Sequence, residues 1–483
     1  MKRLFSWILI SLATLSAFAA SPTQTLPIVY LNTTNNQAIT SKDYYIGASL
    51  YITSAQSSYP ALGSNTAPVA CQVKGRGNWT WNGFDKKPYK IKFDVKQSVL
   101  GMPNNKHWCL LACADDYLGF LKMPAGFAIS EAVGLRWTPR MSPVELVLNG
   151  KYQGLYFLTE HVRIAGNRVK IKEQANGETQ TDLLNGGWLV EIDNYESENN
   201  ITFTEGNGQH VMVSLKEPDS LSTQQRQYIV NQLNTLNEEL YNLPSLQMED
   251  CLDLAIRTAG AAGSVAPTRT AGGRLPEILD LTEAAKYYLV QEIMEDCESY
   301  HGSCFLYKDR DSLGVTDKWK FGPVWDFGNA YNRREEKWIY TNPTFDQYWI
   351  GQLAQWPDFQ QKVKEQWYLF YHNHKDSVRD DIRALADQIE TAAKNDAEVW
   401  RNTQNYCDNS NFSDVRDRFF RRYDWRINWL YSQWGEGIRP STEDIENPAG
   451  TSSDMHSRKI LRNGQILILR NGRTYSLDGR LIE

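Results

Sequence analysis

The tightest constraint on this fold is a hairpin written into residues 144–158. Val144-Glu145-Leu146-Val147-Leu148 and the run from Lys151 to Leu158 are two strand-like segments separated only by Asn149-Gly150. Asn-Gly supplies the two positive φ angles of a type I′ turn, so the strands pair antiparallel in a register set by the turn. Further strands are expected at residues 28–31, 44–52, 89–93, 108–112 and 188–193. Tyr89, Ile91 and Phe93 alternate with Lys90 and Lys92, which reads as a half-buried strand with its basic residues on the other face. Glu191 and Asp193 share one face of their strand, because side chains repeat every two residues. A helix is expected over 124–133, stopped by Gly134.

From about residue 221 the pattern turns helical. Ser222 and Gln225 form a capping box, and Ile229, Leu233, Leu236 and Leu240 follow at helical spacing. Residues 244–276 break the pattern and read as a long loop or insertion. Asp280 with Glu283 opens another helix, carrying Tyr288, Leu289 and Ile293, and helices are expected from about 356 to 434, the last capped by Ser413. Residues 435–457 are a polar linker. The tail, 458–483, holds strands at 465–469 and 474–477 around Asn471-Gly472. The expected class is α+β: a β-rich part at about 26–215, a helical part at about 221–434, and a small C-terminal β module. A cleft between the first two is the natural place for a site.

With 483 residues, 41% of them hydrophobic, the chain can build one large or two medium domains. A formal net charge of −6 gives no reason to expect nucleic acid or an anionic membrane as partner. Residues 1–20 read as a signal peptide: Lys2 and Arg3 are basic, Leu4 to Leu15 is apolar, and Ala17-Phe18-Ala19 fits the cleavage rule. No cysteine follows the cut to take a lipid, and no other stretch is apolar enough to be a transmembrane segment. The expected location is therefore outside the cytoplasm: periplasmic, cell-surface or secreted. Seven cysteines are too few for a disulfide framework. Cys109 with Cys113, and Cys297 with Cys304, are close enough to pair, but buried free thiols with at most one bridge are expected.

The chemistry gathers around residues 320–329, Lys-Phe-Gly-Pro-Val-Trp-Asp-Phe-Gly-Asn. One acid, Asp326, sits among bulky aromatics, and an aspartate there needs a partner or a metal. Asp-Phe-Gly is also the triplet that holds magnesium in protein kinases, although a salt-bridged strand end would look the same. Phosphoryl transfer needs cations on the phosphates, carboxylates for metal and a group to orient the hydroxyl. Arg76, Lys87 and Lys90 are the candidate cations, or simply a basic strand face. Glu160 is placed to orient one of them, or is a surface acid. Trp325 is either a stacking platform for a nucleobase or a core residue.

In chain order, Arg76-Gly77-Asn78-Trp79, Lys86 to Phe93, Leu148 to Glu160, Gly186 to Asp193, Phe305 to Asp309 and Phe321 to Phe327 form an ordered series. Over residues 26–375 this series resembles the CotH kinase family, named for spore coat protein H. The resemblance implies an atypical, secreted, protein-kinase-like two-lobe fold. It implies transfer of the ATP γ-phosphoryl group, with Mg²⁺ or Mn²⁺, to Ser or Thr of an exported protein substrate. It makes Asp326 a metal ligand, and it makes Glu298 the catalytic acid and a second metal ligand where the family has aspartate. Asp296, two residues earlier, is the alternative catalytic carboxylate. Gly328 stands where the family often has another aspartate. These two departures keep a non-catalytic pseudokinase scaffold or adhesin in view, and Glu191, Asp193 and 16 tryptophans keep a carbohydrate-active protein as a third reading. The tail resembles a C-terminal sorting or surface-attachment module.

Overall fold

The computed structural model describes residues 20–193, 200–204, 208–218, 220–243, 273–312, 315–341 and 348–441, and the backbone of three strands between 457 and 475. Residues 1–19 of the proposed signal peptide and the 244–272 part of the insertion lie outside these residues. The chain divides into two compact units, Met1–Gly437 and Ile438–Glu483.

In the first unit, β1 (Ile28–Thr33), β2 (Ile46–Thr53), β3 (Val69–Gly75), β4 (Tyr89–Val99), β5 (Met102–Leu111), β6 (Met141–Leu148) and β7 (Lys151–Glu160) close a barrel in the order β1-β2-β3-β4-β5-β7-β6. The β6–β7 hairpin turns at Asn149, with φ of 50°, and Gly150, with φ of 76°, as its sequence requires. Asn149 also accepts the Thr33 N–H at 2.8 Å, so the same turn pins the end of β1. β1 and β6 pair in parallel and close the barrel. Val29, Leu50, Val73, Ile91, Trp108 and Leu146 fill its interior.

The second sheet runs β12-β11-β8-β10-β9, from β8 (Trp188–Ile192), β9 (Asn200–Thr204), β10 (His210–Glu217), β11 (Cys304–Lys308) and β12 (Lys320–Phe321), with every pair antiparallel. The sheet draws on both the β-rich and the helical stretch of the chain. β11 and β12 come from the helical stretch, and β11 covers the free edge of β8, all five residues of which are buried. A buried strand edge needs a hydrogen-bonding partner, and the nearest one in space comes from far along the chain.

Nine helices are described: α1 (Trp79–Gly83), α2 (Lys122–Ala132), α3 (Thr223–Tyr241), α4 (Leu275–Ile278), α5 (Leu281–Met294), α6 (Ile350–Leu353), α7 (Pro357–Asn373), α8 (Lys375–Trp400) and α9 (Phe412–Trp434). Ser222 and Gln225 cap α3 reciprocally, and Asp280 accepts the Glu283 N–H at the start of α5. The cap of α9 is Asn411, not Ser413, which lies inside the helix. α5 is buried on nearly every side because it packs against α2, α7, α9 and β12. A helix surrounded in this way has no need of an amphipathic stripe.

Two buried ion pairs tie these layers together. Lys86 reaches Asp396 of α8 at 2.6 Å, and Asp396 also accepts the Leu155 N–H of β7. Arg426 of α9 pairs with Glu292 of α5 and donates to the Lys337 carbonyl at 3.0 Å. The six described cysteines are free thiols, so neither local pairing forms. Six of the tryptophans serve the core, Trp108, Trp188, Trp319, Trp349, Trp356 and Trp367 being fully buried, while Trp79 is exposed. No described helix is long and apolar enough to cross a membrane.

The second unit holds a three-stranded antiparallel meander, β13 (Ser457–Arg462), β14 (Gln465–Arg470) and β15 (Arg473–Tyr475), one strand more than the two expected. Residues 442–456, most of the expected linker, lie outside the described residues.

Candidate active site

A cleft of about 900 Å³ opens in the first unit, lined by a group of cations and a group of carboxylates. The basic group comes from the barrel. Lys74 is the last residue but one of β3, Arg76 follows the strand, and Lys90 points outward from β4 into the cleft. The alternation in β4 therefore holds, but its outer face is not open to bulk water. Burial, with Lys74 and Arg76 close by, holds the Lys90 ammonium down at about 8. Its Nζ lies 2.7 Å from His161 Nε2. Burial and the Lys90 charge keep His161 well below the ordinary imidazole range, so the ring is neutral and its Nε2 accepts from Lys90. No carboxylate among the described residues forms an ion pair with Lys90 or Arg76.

The acidic group is set by packing. Phe327 lies against Gly126 of α2 so closely that a Cβ there would meet its ring at 2.1 Å. Trp325 packs on Phe127, with ring centroids 5.8 Å apart. Asp326 is held between these two anchored rings, in the left-handed region at φ 59°. α5 delivers Glu298 after ending on Glu295, whose φ of 50° turns the chain out of the helix. Glu298 accepts a hydrogen bond from the Asn329 amide. Burial first, and then the Asp326 charge, pushes the Glu298 carboxyl up to about 7.

Asp115, from the loop between β5 and α2, completes the group. Burial and Asp326 push it up to about 6, with Lys122 opposing. Lys122 itself donates to the Gly328 carbonyl at 2.8 Å and to Asn332 Oδ1 at 2.9 Å, and so staples the Asp326 loop to α2. Asp116 caps that helix start, accepting the Leu118 and Lys122 N–H groups.

Of the residues singled out from sequence, Arg76, Lys90, Trp325, Glu298 and Asp326 line this cleft, as do Glu191 and Asp193. Three do not. Lys87 donates to the Trp81 carbonyl at 2.6 Å. Glu160 is fully buried and pairs with Arg140 and Arg168, not with Arg76, Lys87 or Lys90. Asp296 lies behind Glu298, 1% exposed. Its Oδ1 accepts the Glu298 N–H at 3.3 Å, while its Oδ2 has no hydrogen-bond partner. Trp325 faces the Arg76 guanidinium at 5.4 Å on one side and Phe127 on the other. Glu191 is paired with Lys216. Sequence reasoning missed Asp115, Lys122 and His161, and their only local signal was the doubled acid Asp115-Asp116 after an apolar strand.

Among the described residues, no three His, Cys, Asp or Glu side chains converge tightly enough to enclose a metal ion. An oxygen-only pair of carboxylates nevertheless suits Mg²⁺ or Mn²⁺. Such ions are commonly held by one or two carboxylates, with waters and substrate phosphates completing the shell.

Fold and cleft together define an α+β protein whose polar site combines cations with carboxylates. A family model, CotH kinase protein, matches residues 73–256 and 262–429, and the chain belongs to that family. No curated protein matches it.

Proposed function

We propose that this chain is an exported kinase, with a kinase-like two-lobe body, that transfers the ATP γ-phosphoryl group to Ser or Thr of secreted or surface proteins. The observation that carries this reading is that Arg76 and Lys90 line the same cleft as Asp326 and Glu298. Arg76, Lys90 and Lys74 bind the phosphates as charged donors. Asp326 holds Mg²⁺ or Mn²⁺, which when bound would neutralise charge on the phosphates. Glu298 orients the acceptor hydroxyl and takes its proton. A carboxyl near 7 is well placed for that task, because a base works best close to ambient pH.

The second reading, a nucleotide-binding scaffold without transfer, draws on Glu298 being engaged by Asn329. One experiment separates them: transfer of label from γ-labelled ATP to a generic protein acceptor, with Mg²⁺ and then Mn²⁺, in the parent chain, Asp326→Ala and Glu298→Ala. Label lost in both variants supports the kinase. Nucleotide-dependent thermal stabilisation without label supports the scaffold. The absence of both removes nucleotide chemistry altogether.

A further inference from the structure

Gly328 follows Asp326 by two residues, and its φ lies outside the left-handed region, so the backbone there does not require glycine. The space beside it is tight on one side and in ordinary contact on the other. A Cβ built at 328 would sit 3.2 Å from Asp115 Oδ2 and 3.4 Å from Asp326 Oδ1. Two carboxylates from loops more than 200 residues apart in sequence thus converge on a point that carries no side chain. Their oxygens can be no further apart than the sum of those two distances. A divalent ion with bonds of ~2.1 Å spans such a gap through direct bonds or with one bound water.

Among the described residues neither Asp115 nor Asp326 forms an ion pair, although the Lys122 charge partly opposes the rise at Asp115. Lys122 spends its hydrogen bonds on the Gly328 carbonyl and Asn332 and forms no ion pair with Asp115 or Asp326. Behind them lies the Asp296 carboxylate, buried, with Oδ2 unpartnered, and repelled by Asp326 and Glu298. Asp326 is exposed and Asp115 half-buried, so both carboxylates are reachable from the cleft, and like charges held this close repel until a cation binds between them.

We propose that Asp115 is a direct ligand of the divalent ion, facing Asp326 across Gly328. This inference rests on the kinase reading only for the identity of the ion. The geometry also predicts that the ligand can be moved. In the double variant Asp115→Ala/Gly328→Asp, a carboxylate grows from the other side of the same space, and the side chain it would have crowded is gone.

The test measures Mn²⁺ binding to the full chain in the presence of ADP, followed by the loss of the free-ion electron paramagnetic resonance signal. Thermal melts of each variant check folding. Outer-shell partners of a metal alone shift affinity by roughly 10–100-fold, so replacing a direct ligand should weaken binding by at least ~10-fold. Asp115→Asn is expected to show that loss, Asp326→Asn a loss at least as large, and the double variant most of the parent affinity. Parent-like binding in Asp115→Asn overturns the proposal and leaves the kinase reading standing, as does absent binding in a double variant that melts like the parent. A parent chain that binds no Mn²⁺ even with ADP overturns both.

Discussion

Charge is handled in two opposite ways in this molecule. At Glu292 each charge has its complement: Arg426 pairs with it, Tyr288 donates to it, and the Ile339 N–H reaches it at 3.2 Å. Lys86 and Asp396 form a similar closed set with Leu155 and Tyr406. In the cleft, a few residues further along from Glu292, the charge of the exposed Asp326 helps to raise the proton affinity of the buried Asp296 and of the half-buried Glu298 and Asp115, while Lys122 gives its hydrogen bonds to Gly328 and Asn332. Satisfied pairs hold layers in place. An unsatisfied group of one sign is tolerated only where something from outside is to fill it.

The largest expected effect tests the second half of that contrast. Asp326→Asn should reduce phosphoryl transfer by at least ~10³-fold, in line with losing a preorganised electrostatic group, while the melting temperature of the metal-free chain stays equal or rises. A marked fall in melting temperature would place Asp326 among the structural charges. Arg426→Ala probes the first half. Removing one partner of a buried pair strands the other, so a loss of about 3–5 kcal/mol is expected in denaturant unfolding of the first unit. A loss under 1 kcal/mol would show that Glu292 finds another partner.

A subtler effect is a dependence on pH in chelator-treated protein. Glu298 rises from 4.5 to about 7 on folding, and Asp115 from 3.8 to about 6. The folded chain therefore keeps protons that the unfolded chain has released. The stability they contribute is fully present below pH ~4 and is lost as pH rises through about 6 and then about 7. Glu298→Gln should flatten the upper part of that decline, as read by melting temperature between pH 5 and 8. An unchanged slope would mean the Glu298 carboxyl is not held up by its neighbours.

The smallest effect separates two lysines three residues apart. Lys90→Met should weaken ATP binding roughly tenfold, the usual scale for a charged hydrogen bond. Lys87→Met, whose ammonium is occupied by the Trp81 carbonyl, should stay within about twofold. Equal effects in calorimetric titration would erase the distinction.

What the sequence made legible was local. Asn149-Gly150, the Ser222–Gln225 box and the Asp280 cap each act within a few residues, and each is where it was expected. The alternation around Lys90 placed that residue on the outer face of its strand but could not say what would cover it. Glu160 looked like a surface acid or an orienting one. Its actual partners, Arg140 and Arg168, lie beside it only after the strands have paired and the following loop has folded back. Asp115 was invisible for the same reason: its meaning depends on a glycine more than 200 residues away.

The parallel seam between β1 and β6 has a consequence for handling this protein. It joins residues more than 100 positions apart, so the first strand of the barrel waits longest for one of its neighbours. Contacts of such long range slow folding, and until the seam forms, β1 and β6 each present an open row of backbone groups able to recruit another chain. A truncation reaching past Pro27, or a bulky fusion placed directly against it, should therefore show up first as aggregation during refolding, before any loss of the native contacts around the cleft.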